Sequence, residues 1–311
     1  MTTLLMVHNA FYDHVTPEGH PERVDRLRAI SKALEDDAFK GLQREDAPMG
    51  TREQVELAHP KGFVDAIEAA APSSGYIHID GDTVMSPGSL EAAYRAVGGA
   101  CHAVDQVMTG DVANAFCAGR PPGHHAEKTT AMGFCLYSTA AIAALHARQA
   151  HGLKRVAVVD FDVHHGNGTQ DVFWDDPDLF YASSHEMPLF PGTGHPSERG
   201  ANNQGNIVNV ALSRGDGTVP FQRAYTNVIF PALRDFAPEL LVISAGFDAH
   251  SRDPIGGLAL EADDFDWVTA ELMVIADEFC SGQIVSVLEG GYDLQGLAKS
   301  TAAHIRRLMT H

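Results

Sequence analysis

Basic residues are scarce in this chain: 22 Lys and Arg face 41 Asp and Glu, a formal net charge of −19 over 311 residues. A surface of that sign repels phosphate backbones, which argues against direct nucleic-acid binding, and it attracts cationic peptides and polyamines. Cysteine is also rare. Cys101, Cys117, Cys135 and Cys280 form no CxxC pair and lie in apolar stretches, so they read as buried free thiols and not as a disulfide framework. No apolar run reaches the about 18 residues of a membrane span. The opening MTTLLMVHNAFYDH lacks the basic flank and apolar core of a signal peptide. Repeats, low-complexity tracts and convincing linkers are missing too. What remains is 44 % hydrophobic and 20 % charged, the balance of a globular protein. A chain of this length buries about three quarters of its unfolded surface without needing disulfides. The expectation is one soluble, cytoplasmic domain over residues 1–311.

Short β-branched runs alternate with helix-like segments, as in a parallel sheet covered on both faces. The candidate strands are Leu4–His8, Val112–Ala118, Arg155–Phe161, Leu179–Ser183, Ile207–Ala211, Leu240–Ala245 and Ile284–Leu288. The candidate helices include Pro21–Glu35, Gly88–Met108, Ser138–His151, Val219–Phe236, Ala262–Phe279 and Leu294–Met309. Four polar, glycine-containing segments, GRPPGHHA, DFDVHHGNGT, SAGFDAH and LEGGYD, follow four apolar runs. Ligands of open parallel sheets bind at the carboxyl ends of strands, so these four segments predict one shared site.

In RVAVVDFDVHHGNG, alternation along a strand puts Asp160, Asp162 and His164 on one side. Asp162 and His164 can then face one cation. Asp160, a step deeper, must meet a cation or hydrogen-bond donors, because burying an unpaired carboxylate is unfavourable. A catalytic zinc generally takes three protein ligands and keeps an open position. Asp248, after the apolar run LLVIS, is the best third candidate. The consecutive His124 and His125 follow Pro-Pro-Gly in a loop suited to presenting imidazoles. Tyr292 follows two glycines, which let the backbone turn tightly and approach a ligand.

Taken together, PPGHHA, DFDVHHGNGT, SAGFDAH and LEGGYD closely resemble the zinc-dependent histone deacetylase superfamily, especially its class II branch and the bacterial histone deacetylase-like amidohydrolases. HPERVDRLRAI, GFCLY and LFPGTG look like the same family, so the resemblance spans essentially the whole chain. It implies an open, mostly parallel α/β sheet of the arginase/deacetylase type with helices on both faces. It implies zinc held by Asp162, His164 and Asp248, with iron as the alternative in the cell. His125 would be the general base and then the acid for the leaving amine, and His124 its partner, oriented by Asp160. Tyr292 would donate to the acyl oxygen. Asn167 stands where many class I relatives carry an aspartate behind the second histidine; it can fix the tautomer but adds no charge. Gly133 and Phe134 of GFCLY, with Phe190, match the walls that flank an acyl-lysine side chain, and Arg26 matches a basic residue near the acetate exit path. A potassium ion would draw oxygens from Asp160, Asp162, His164, Ser183 and Ser184, several of them backbone carbonyls.

The implied reaction is hydrolysis of an acylated lysine or small acylated amine to free amine and carboxylate. Three alternatives bear on it. An acetylpolyamine deacetylase would use the same chemistry, but polyamine-selective relatives carry a glutamate at the position matched by Ile255, in FDAHSRDPIGG, which is uncharged. A two-manganese ureohydrolase would need more aspartates around the DxH motif. A non-catalytic acyl-amine-binding protein would have no reason to keep the ligands, both histidines and Tyr292.

Overall fold

The apolar runs become the strands of an open parallel sheet. In chain order the strands of the computed structural model, which describes residues 2–310, are β1 (Thr3–Val7), β2 (Gln43–Asp46), β3 (Ile77–His78), β4 (Val84–Met85), β5 (Asn114–Cys117), β6 (Val156–Asp160), β7 (Leu179–Glu186), β8 (Ile207–Leu212), β9 (Leu240–Ala245) and β10 (Ile284–Leu288). Met1 and His311, the ends of the expected domain, lie outside the described residues. Eight strands form one sheet in the order β2-β1-β5-β10-β9-β6-β7-β8, every pairing parallel. The interior strands are buried on both faces and therefore read as continuous apolar runs. β3 and β4 form a separate antiparallel pair.

The α-helices are α1 (Asp25–Ala33), α2 (Arg52–Val55), α3 (Lys61–Ala70), α4 (Ser89–Thr109), α5 (Thr139–His151), α6 (Asn167–Phe173), α7 (Thr218–Ala224), α8 (Phe230–Phe236), α9 (Ala262–Phe279) and α10 (Leu294–Leu308). α4 packs on α5 to cover one face, while α10 packs between α9 and α1 on the other. Among the described residues, no helix is long and apolar enough to cross a membrane.

Two expected helices differ from what forms. Pro21–Glu35 shortens to α1, because residues 21–24 turn inward and bury Glu22 against Arg26 and Arg120. Val219–Phe236 is not a single α-helix. Its middle, Tyr225–Ile229, is a π-helical turn leading into Pro231 at the start of α8. A proline cannot donate to the carbonyl four residues back, so the ladder widens there. The edge strand β2 and the short helices α2, α3 and α6 have no counterpart among the expected elements. β2 carries the alternating polar sequence QRED and α6 begins inside the glycine-containing HHGNGT, and neither shows a marked apolar periodicity.

The centre of the sheet positions the site. β5, β10, β9 and β6 are consecutive neighbours there. Their carboxyl ends run into GRPPGHHA, LEGGYD, SAGFDAH and DFDVHHGNGT, so the four polar segments are drawn to one place.

Candidate active site

Asp160 ends β6 and is fully buried. It meets donors, as burial requires: Tyr181 Oη and His124 Nδ1 donate to Oδ2, each at 3.0 Å, and the Asp162 N–H donates to Oδ1 at 3.0 Å. Just beyond, His164 Nδ1 lies 3.2 Å from Asp162 Oδ1 and 3.1 Å from Asp248 Oδ2. One ligand atom from each of these three buried side chains falls within 4.8 Å of the others.

The backbone is shaped around this trio. The Gly290 N–H donates to Asp162 Oδ2 at 2.8 Å. A Cβ on Gly290 would sit 2.2 Å from Asp248 Oδ2, and one on Gly246 would sit 2.0 Å from Asp162 Oδ2. Only glycine fits at either position. Electrostatics then asks for positive charge. Burial and the Asp162 carboxylate push Asp248 up to about 7. Burial opposes a charge on His164, yet its two carboxylate neighbours raise it to about 10. An imidazolium offers one positive charge to two carboxylates, whereas a divalent cation offers two. One imidazole nitrogen and two carboxylate oxygens suit a borderline divalent ion such as zinc. The donor set fits that group.

The His124 and His125 rings lie with centroids 4.0 Å apart, tilted by 46°, but face opposite environments. Burial disfavours charge on His124, but Asp162 and Asp160 outweigh it and hold the ring well above the usual range. His125 is driven the other way, by burial and then by the charges of His124 and His164. Its Nδ1 lies 2.8 Å from Asn167 Oδ1, and Asn167 Nδ2 donates to Glu127 Oε1 at 2.8 Å. A carboxylate accepts only, so Glu127 fixes the amide orientation. Asn167 must then accept from His125 Nδ1–H, leaving Nε2 as the basic nitrogen. The Tyr292 phenol is held well above its usual value by burial and stays a donor.

These groups open into a cavity of about 220 Å³ lined by Asp82, His125, Gly133, Phe134, His164, Leu189, Phe190, Ile255 and Tyr292. Phe190 packs edge-on to His125 at 5.0 Å, and Phe134 edge-on to Tyr292 at 5.8 Å. Gly133 and Phe134 both have positive φ, 56° and 69°. A Cβ on Gly133 would sit 2.4 Å from the His125 ring, so the close approach of wall to imidazole depends on glycine. Arg26 is not among the lining residues. It is fully buried beneath LEGGYD, donating to the carbonyls of Gly291 and Glu289 and to Glu22, with its guanidinium 4.9 Å from the Tyr292 ring centroid. The Ser183 and Ser184 hydroxyls are paired with His185 and Tyr225.

Several contributors escape sequence reading. Glu289 Oε2 accepts from the N–H groups of Gly123 and His124 at 2.7 and 3.1 Å, fastening the histidine loop to the end of β10. Its one signal is a charged residue abutting an apolar strand. Asp253 accepts from Tyr292 N at 2.7 Å and Ile255 N at 3.0 Å, tying the cavity rim to the tyrosine loop. Asp82 lines the cavity without any motif to mark it, and Leu189 lines it as the first residue of LFPGTG.

Comparison with known proteins gives one answer. Residues 20–308 match the Histone deacetylase domain family. The chain is 37 % identical over 310 residues to Histone deacetylase 14, chloroplastic, of Arabidopsis thaliana, covering 94 % of this chain and 73 % of that protein. It is 35 % identical over 281 residues to the Histone deacetylase-like amidohydrolase of Pseudomonas aeruginosa, covering 88 % and 73 %. The crystal structure of the HDA15 HD domain superimposes with a TM-score of 0.94 at 36 % identity, covering all of this chain and 88 % of that one.

Proposed function

Because the chain belongs to the histone deacetylase family and is an enzyme of the deacetylase/amidohydrolase type, we propose that residues 1–311 act as one cytoplasmic, zinc-dependent catalytic domain that hydrolyses acyl-lysine or related acylated amines. The observation that carries this reading is the buried Asp162–His164–Asp248 trio beside a neutral imidazole and a phenol in one aromatic-walled cavity.

Zinc held by those three residues, or iron in its place, would polarise the acyl carbonyl and lower the pKa of a bound water. The chain's own groups do the rest. Phe134 and Phe190 flank an apolar tether, and burying four methylenes contributes about 3 kcal/mol. His125 Nε2 takes a proton from the attacking water as its oxygen bonds to the acyl carbon. The Tyr292 hydroxyl donates to the acyl oxygen as negative charge grows there. His125 then passes the proton to the departing nitrogen as the C–N bond breaks, leaving free amine and carboxylate. His124, charged and held by Asp160, stabilises the anionic stage. Arg26 steadies the tyrosine loop from below. Potassium near the ends of β6 and β7 belongs to the same proposal; with both serine hydroxyls paired, it would rely on backbone carbonyls around Asp160, Asp162, His164, Ser183 and Ser184.

Asn167 gives a pH test. His125 works as a free base, so the rate falls on the acid side as it protonates. The groups around it are His124, His164, Asp162 and, through Asn167, Glu127. Asn167→Asp sets a negative charge against Nδ1–H and favours the imidazolium, so the acid limb of kcat/KM is expected to move up by about one pH unit. A profile with an unmoved acid limb means that Asn167 does not tune His125.

The second reading is acetylpolyamine hydrolysis, and one observation favours it: a carboxylate, Asp82, lines the cavity. Ile255, also in the lining, offers no charge. Ile255→Glu is expected to shift the kcat/KM ratio toward acetylpolyamines by about fivefold, the upper range for a half-exposed ion pair. A panel of acetyl-lysine peptides, longer acyl-lysines and acetylpolyamines decides between the readings. A tenfold or greater preference of the unmodified enzyme for acetylpolyamines, on the order of 1.4 kcal/mol, overturns the acyl-lysine reading.

A further inference from the structure

A second group of metal-ligating side chains lies away from the cavity. His146 Nε2 and His151 Nε2 approach the same atom, Asp105 Oδ1, at 2.8 and 2.7 Å. The two rings stand nearly perpendicular, at 80°, with centroids 6.2 Å apart. One ligand atom from each of the three residues lies within 4.8 Å of the others. Asp105 sits near the end of α4, and His146 and His151 in the last turns of α5, which stops at Gly152 with φ 70°. Those helix ends lead into the amino ends of β5 and β6. The cluster therefore lies at the opposite end of the sheet from the candidate active site, which occupies the strands' carboxyl ends.

We propose that Asp105, His146 and His151 form a second binding site, for a borderline divalent transition ion of the zinc or copper class, that clamps the end of α4 to the end of α5. Two imidazole nitrogens and one carboxylate oxygen select such ions, whereas calcium and magnesium require oxygen-rich shells. The side chains are partly covered, at 11 % exposure for His146, 20 % for His151 and 42 % for Asp105. The imidazoles are thus held by packing, while the open carboxylate side leaves room for water to complete the coordination. Both nitrogens, carried by α5, already aim at one carboxylate atom on α4, so binding needs little reorganisation. Each histidine binds as the tautomer with its proton on Nδ1, and the ion takes the place of the two Nε2 protons now shared with Oδ1. The −19 chain enriches cations near its surface and assists loading. Because the ion would bind the folded arrangement and not the unfolded chain, it raises thermal stability by mass action.

The test counts ions on the enzyme carrying its catalytic metal. Wild type and the His146→Gln/His151→Gln double variant are dialysed against buffered zinc, and bound metal and Tm are measured. Wild type is expected to hold a further ion per chain and to melt higher with zinc than without, and the double variant to lose both responses. Copper(II) added while zinc holds the catalytic site is expected to show hyperfine coupling to two nitrogens in wild type and not in the double variant. Should the double variant fail to fold, Asp105→Asn keeps an acceptor for both histidines while removing the anionic ligand, and is expected to lose the further ion. Equal uptake and equal Tm response in wild type and a folded variant overturn the proposal, whatever the outcome for acylated amines.

Discussion

An Asp248→Ala protein is expected to lose turnover almost completely. Asp248 supplies one of three atoms that lie within 4.8 Å of one another, and two remaining protein ligands rarely retain a divalent ion. Removing a partner that merely orients a metal ligand costs about 10–100-fold, so removing a ligand is expected to cost at least about 10³ in kcat/KM. Asp162→Ala is expected to match it. Asp248→Ala also removes the acceptor of the Val163 N–H, at 2.8 Å, so folding is checked by circular dichroism before the rate is interpreted. A folded Asp248→Ala protein with metal content and rate near wild type would place the catalytic ion elsewhere.

Tyr292→Phe is expected to have the next largest effect. The ring sits between Phe134 and the Arg26 guanidinium, and phenylalanine preserves both contacts. What disappears is the hydroxyl, kept protonated by burial. Loss of one donor to a developing oxyanion costs about 10²–10³ in kcat. KM is expected to change far less, because the donor acts mainly in the transition state. A kcat within about threefold of wild type, under 1 kcal/mol, would leave Tyr292 only a packing role.

How much of the fold and site is legible in the sequence depends on the distance over which each feature is set. Asp160 ends β6, and Asp162 and His164 follow it at two-residue steps just past the strand, so a reading of the local spacing brings them together. Ala262–Phe279, Leu240–Ala245 and Ile284–Leu288 form with the expected bounds, because each is a continuous apolar or amphipathic stretch with clear stops. The four polar segments share a site because β5, β10, β9 and β6 are adjacent, an order that local pattern does not contain. The same limit hides Glu289, Glu127 and Asp253. Each is an acidic residue whose partners lie on another segment, so no spacing announces it. Arg26 illustrates the converse. Its place in HPERVDRL marks a helix, but only tertiary contact shows it beneath Tyr292 and away from the cavity lining. The π-helical turn at Tyr225–Ile229 has a local cause in Pro231, which an apolar period running past it conceals.

The most direct test of the central claim is hydrolysis of an acetyl-lysine peptide, with free amine and acetate measured together, before chelation, after it and after zinc is restored. The account predicts equal release of amine and acetate, loss of both in the chelated protein, and recovery when zinc returns. Undiminished release by protein shown to be metal-free would contradict it.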